Sequence, residues 1–278
     1  VVGNFAWIIG PSIGGFVAKY DFFYLFVIDS ILSCVVAVIV FRLLPETKPQ
    51  VKAEAHTGES ESIWQTVLGY RVALRDFAFM AFIVASVMML LVYQQAYGSL
   101  SVFLRDVHNI DPQRYGLLMT SSAITVVLFQ FGVSRWLRGR APFRMMAFGT
   151  LFYMVGFTMF GLVSAYPLFV SAIVVITIGE MIVVPVSQGL AANFAPEEMR
   201  GRYMAVFGLS WAFPQTIGPG AAGYILDNFN PNLLWYVGGI LCALSALGYW
   251  ALHLKLGKRE RFVPKPPEAE LIQQEISV

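Results

Sequence analysis

The sequence predicts an all-α polytopic membrane protein with eight transmembrane helices, and three observations carry that expectation. Apolar residues make up 57% of the 278 positions and charged residues only 13%, about half the roughly 25% typical of a water-soluble domain. The mean hydropathy is +0.66. The apolar residues gather into unbroken runs near the ~20 residues that a helix needs to cross about 30 Å of hydrocarbon. A barrel strand would instead alternate over about ten residues.

The runs fall at residues 1–18, 22–43, 77–103, 115–134, 145–164, 167–192, 203–226 and 231–254. The first opens the chain inside apolar sequence and without Met, which reads as a span cut short with further helices upstream. The second carries Asp29, close enough to its outer end to reach water or a headgroup. In the third, Gln94, Tyr97, Gly98 and Ser101 share a helical face with Tyr93 beside them. The fourth carries Ser121, Thr125 and Gln130. The fifth is free of charge, and the sixth is centred on Glu180 with Ser187 seven residues on along the same face. The seventh presents Gly208, Trp211, Gln215 and Gly218 at 3–4–3 spacing, and the eighth carries Cys242. With Cys34 the only other cysteine, neither a disulfide framework nor a Cys-rich metal site is expected, and no cofactor.

The 19 Lys and Arg residues lie in loops or at span ends, and the loops alternate in richness. One side holds only Lys19, Arg105 and Arg114. The other holds Arg42, Lys48, Lys52, Arg71, Arg75, Arg135, Arg138, Arg140, Arg144, Arg200, Arg202, Lys255, Lys258, Arg259, Arg261 and Lys265. Positive charge marks the cytoplasmic side, so residues 44–76 and the C-terminus are expected there, in a plasma-membrane protein. Residues 1–43 then hold two helices of one bundle and 77–256 a six-helix bundle. Residues 44–76 read as a linker with an interfacial helix begun by Ser62 and Gln65 as a capping box. The Pro-containing tail 257–278 is expected to be disordered.

A duplication is the most specific signal. The first span contains Gly10-Pro11-Ser12-Ile13-Gly14-Gly15 and the seventh Gly218-Pro219-Gly220-Ala221-Ala222-Gly223. Both copies cross in the same direction, as in parallel repeats of six helices. Glycines three and four apart admit a neighbouring backbone, and proline permits a bend, a combination suited to a gate.

On these residues the chain resembles antiporters of the major facilitator superfamily, whose fifth helix carries Gly-Pro-x-x-Gly-Gly. The resemblance implies a twelve-helix, two-bundle transporter fold of which the present spans are helices five to twelve. Ala6 replaces the glycine that the family motif places four residues earlier. A second family motif, Gly-x-x-x-Asp-Arg-x-Gly-Arg, is matched at Gly132, Gly139 and Arg140, with Trp136 and Leu137 at its Asp and Arg positions. The stretch from Gly179 to Met181, Pro185, and the run Ala195 to Tyr203 with Arg200, Gly201 and Arg202 is similar to drug–proton antiporter-like members.

Glu180 is the acid nearest mid-depth, where a carboxylate costs about 2.5–3.5 kcal/mol on insertion scales. Burial penalises its charged form, so Glu180 is read either as a hydrogen-bonded structural acid or as a proton carrier, with Asp29 a second candidate. The polar and aromatic faces that include Tyr93, Gln94, Tyr97, Ser121, Thr125, Gln130, Ser187, Trp211 and Gln215 are expected to face the bundle interior or a wet path, because amides in lipid need partners. Such a lining suits amphipathic neutral or cationic solutes. An intramembrane enzyme is disfavoured, since no second acid shares the depth of Glu180 and His56, His108 and His253 lie in loops or at an interface. The partners expected are the lipid bilayer, a small-molecule substrate and the proton, and no nucleic acid. The expected activity is proton-coupled export of small amphipathic molecules, with uptake of a metabolite, or a non-transporting receptor or scaffold, as alternatives.

Overall fold

The structure is a computed structural model that describes residues 10, 13–14, 16–17, 21–43, 70–196 and 199–262. Among the described residues all regular structure is helical. Helix α1 runs Phe22–Leu43, α2 Phe77–Tyr93, α3 Ser99–His108, α4 Pro112–Leu137, α5 Pro142–Leu162, α6 Tyr166–Phe194, α7 Arg200–Asn228 and α8 Leu233–Leu256. Helices α4, α6 and α7 outrun the apolar runs in the sequence, and acidic side chains cap α2 and α4. Asp76 Oδ1 accepts the Ala78 and Phe79 amides at 3.0 and 3.1 Å, and Asp111 Oδ1 accepts the Arg114 amide at 2.8 Å. Each relieves an amide that the first turn leaves without a partner. Pro112 and Pro142 open α4 and α5 where no amide donor is needed.

The expected span 77–103 is not one helix. It stops at Tyr93, continues as a 3-10 turn over Gln94–Ala96 and restarts at Ser99. The first of the eight expected spans lies mostly outside the described residues, and length and hydropathy apply only to the others. Among the described residues six helices meet both tests, namely α1, α4, α5, α6, α8 and the α2 helix with its 3-10 extension to Ala96. Helix α7 is long enough, at 29 residues, but Gly208, Gly218, Gly220, Gly223, Pro214, Pro219 and Gln215 dilute its apolar content. The first expected span lies mostly outside the described residues, as does the linker apart from residues 70–76, which include one helical turn ending at the Asp76 cap.

Helices α2 and α4 to α8 form one bundle. Helix α5 packs along both α6 and α8, α2 along α7 and α8, and α4 along α6. One end is filled by Phe79, Phe82, Phe143, Phe194 and Tyr203, with ring centroids 4.6–6.4 Å apart. The other end is filled by Phe103, Phe157, Phe160, Phe169 and Trp235. In the segment 257–278, residues 260–262 form a 3-10 turn whose Phe262 is buried against Phe143 and Phe194 at 5.0 and 4.7 Å. An aromatic ring at that point gains more by filling the bundle end than by remaining in water, so order extends past the expected start of the tail. None of the described side chains of α1 belongs to the buried core.

Candidate functional site

Glu180 lies halfway along α6 and is half-buried. The Tyr93 hydroxyl, at the last residue of α2, donates to Glu180 Oε1 at 2.8 Å. It also lies 3.0 Å from the Tyr97 hydroxyl across the break that follows. The Tyr93 ring stacks on Tyr153 of α5, with centroids 5.5 Å apart and planes at 23°. Its other neighbour is Trp211 of α7, edge-on at 6.2 Å and 85°. Four helices and the break therefore meet around the Tyr93–Glu180 pair. The hydrogen-bond partner of Glu180 is thus a phenol.

The backbone of α6 reaches this place because Gly179 and Gly149 face each other at the α5–α6 crossing. A methyl group on Gly179 would meet Gly149 O at 2.7 Å and Tyr153 Cδ1 at 2.9 Å. Only two bare α-carbons allow so close an approach. The crossing sets Tyr153 beside the carboxylate's own helix, and Tyr153 in turn supports Tyr93.

Of the residues singled out in the sequence, the structure brings together Glu180, Tyr93, Tyr97 and Trp211. The others are occupied locally. Ser121 Oγ donates to Leu118 O at 2.7 Å, Thr125 Oγ1 to Ser121 O at 2.8 Å and Ser187 Oγ to Val184 O at 2.9 Å. These are the back-bonds that hydroxyls make within a helix. Gln130 Nε2 donates to Ser134 Oγ at 3.0 Å, and Gln215 is exposed. Asp29 is exposed on α1. Gln94 is half-buried, and the shared face expected of Gln94, Tyr97, Gly98 and Ser101 is lost because the helix breaks within it.

Two members went unnoticed in the sequence. Tyr153 is a lone phenol amid apolar residues, and that isolation was the available signal. Gln95 is buried while its neighbour Gln94 is not, a distinction that helical periodicity cannot make across a break.

The glycine motifs divide. A methyl group at Gly218 would stand 2.7 Å from Gln95 Nε2, whereas at Gly10, Gly14, Gly223, Gly132 and Gly201 it would meet nothing within 4 Å. Pro11 and Gly15 lie outside the described residues, and Pro219 is an exposed interior residue of α7. In the loop after α4, Gly139 has φ 72°, a conformation that favours glycine. Arg140 turns back there, its guanidinium 4.0 Å from the centre of the Trp136 ring and its Nε donating to Trp136 O at 2.7 Å. The tryptophan at the motif's acidic position thus still holds the arginine, through a cation–π contact. Arg200 is exposed and Arg202 half-buried at the start of α7.

A family model described as Major Facilitator Superfamily matches residues 1–113 and again 95–276. The chain belongs to that superfamily. It is therefore an integral membrane protein of a transporter family and not an enzyme. An uncharacterized MFS-type transporter, YttB, of Bacillus subtilis (strain 168) is 27% identical over 241 residues, which cover 84% of this chain and 57% of that one. A Na(+), Li(+), K(+)/H(+) antiporter of Planococcus maritimus is 24% identical over 273 residues, 90% of this chain and 64% of that one. Multidrug resistance protein MdtH of Sodalis glossinidius (strain morsitans) is 24% identical over 250 residues, 87% of this chain and 58% of that one. The chain thus spans between half and two thirds of the length of these relatives. Among solved structures, a POT family transporter in complex with 5-aminolevulinic acid superposes with a TM-score of 0.59 at 16% identity, over 86% of this chain and 54% of that one. That likeness concerns the fold.

Proposed function

We propose that the full-length protein is a secondary active transporter of the plasma membrane that exports small amphipathic molecules, cations above all, in exchange for protons. Glu180 is the proton-carrying group. The observation that supports this is the carboxylate of Glu180 hydrogen-bonded to Tyr93, whose ring packs against Tyr97 and Trp211. A carboxylate balances a cation's charge while aromatic faces attract it, and protonation removes the first of these attractions. Loading and release then alternate as one bundle rocks against the other. Two relatives carry names consistent with proton antiport and with drug resistance. The excess of Lys and Arg on one side supports a cytoplasmic placement of the C-terminus.

The test is Glu180→Gln in the full-length protein, with ethidium as probe. The amide keeps the shape and can still accept the Tyr93 hydroxyl, but it neither takes nor gives a proton. Gradient-driven efflux is expected to fall to background while exchange of labelled for unlabelled ethidium survives. Full efflux by the variant across pH 6 to 8 would remove Glu180 from the coupling step. Proton-linked movement of sodium or lithium, without any of ethidium, would replace the organic cation by an inorganic one.

A further inference from the structure

Breaking a helix inside a bilayer strands backbone carbonyls where water cannot reach them. At the break between α2 and α3 side chains bond to carbonyls of the residues around it. Tyr115 Oη, from α4, donates to Ala96 O at 3.0 Å. Ser101 Oγ donates to Gly98 O at 2.9 Å. Gln95 bonds to both sides of the break, with Nε2 donating to Leu91 O at 2.9 Å and Oε1 accepting from Ser99 Oγ at 2.7 Å. The side chain is 6% exposed, and room for it comes from α7, where Gly218 offers a bare α-carbon to the amide. Gln95 lies between Tyr93 and Tyr97, whose hydroxyls meet beside Glu180.

We infer that Gln95 is a positioning residue. Its amide sets the conformation of residues 94–98, and so places Tyr97 against Tyr93 and Glu180, while Gly218 is the recess that admits it. The inference rests on the reading of the Glu180 cluster as the working site. The atom that a methyl at Gly218 would strike is the end of a flexible side chain, so Gly218→Ala leaves the bundle intact. What it displaces is the amide, which must surrender its bonds to Leu91 and Ser99. This gives the second copy of the Gly-Pro motif a partner that glycine spacing alone does not identify.

The experiment is hydrogen exchange of the full-length protein, followed by mass spectrometry over residues 94–98. The variants are Gly218→Ala, Gln95→Ala, the double variant and Gln95→Met. The amides of Tyr97 and Gly98, both bonded to Gln94 O, are expected to exchange about fivefold to tenfold faster in each single variant, the scale of one net hydrogen bond. Gln95→Met keeps the volume without the hydrogen bonds, so it should match Gln95→Ala and serves if the alanine variant does not fold. The double variant should exchange no faster than Gln95→Ala, because without the amide the recess has nothing to exclude. Effects that multiply in the double variant, or exchange unchanged in Gln95→Met, would overturn the inference. Ethidium efflux is measured alongside with Glu180→Gln. Efflux retained by Glu180→Gln defeats the reading of that carboxylate, while the exchange cycle decides the role of Gln95 separately.

Discussion

Gly179→Ala tests the packing on which the site depends. The added Cβ would lie 2.7 Å from Gly149 O, 2.9 Å from Tyr153 Cδ1 and 3.0 Å from Phe152 Cβ, where ordinary contact begins at 3.4 Å. The shortfall of about 0.7 Å is against a backbone oxygen, which has no rotamer to change. Relief therefore requires α5 and α6 to part. A gap of 0.5–1 Å forfeits a quarter to a half of each dispersion contact along the crossing, and overpacking of this kind costs about 1–3 kcal/mol. The same movement carries Tyr153 away from Tyr93 and unsettles the hydroxyl on Glu180. The expected result is a lowered thermal midpoint of the purified full-length protein together with impaired efflux. Gly189→Ala is the control, since a methyl there meets nothing within 4 Å, and alanine favours a helix by up to about 1 kcal/mol over glycine. If Gly179→Ala proved as stable as Gly189→Ala, the close crossing would not be what positions α6.

Two further outcomes follow from the ends of the bundle. The His108 imidazole lies 5.1 and 4.9 Å from the Phe103 and Phe169 rings, and desolvation holds its pKa below the ordinary 6.5. A depressed folded-state value means that its contribution to stability is present above about pH 6.5 and is lost as pH falls through the lowered value. His108→Phe should therefore reduce the drop in thermal midpoint between pH 7.5 and pH 5.5, and an equal drop in the variant would refute the assignment. For orientation, a cysteine replacing Asn109 in a background with Ser at Cys34 and Cys242 should react with an impermeant thiol reagent on intact cells. One replacing Lys258 should not, and the reverse pattern would invert the topology.

The membrane class, the apolar runs and the superfamily were legible in the sequence because they depend on composition, run length and short motifs. The central acid was legible too, since a lone carboxyl amid about 20 apolar residues is conspicuous at any rotation of its helix. Its surroundings were only partly so. Tyr93, Tyr97 and Trp211 were marked by polar faces, but Ser121, Thr125 and Ser187 looked equivalent until their hydroxyls were found bonded to carbonyls of their own helix.

What the sequence determined by itself is the solvent, the helical state and the alternation of charge between loops, since each follows from transfer energies summed along the chain. The tertiary structure alone decided where the third span breaks, which of two adjacent glutamines turns inward, and that Tyr153 supports Tyr93. Those choices depend on approaches so close that a Cβ added at Gly179 or Gly218 would stand 2.7 Å from Gly149 O or Gln95 Nε2. No periodicity within one helix encodes the rotation and depth of its neighbour.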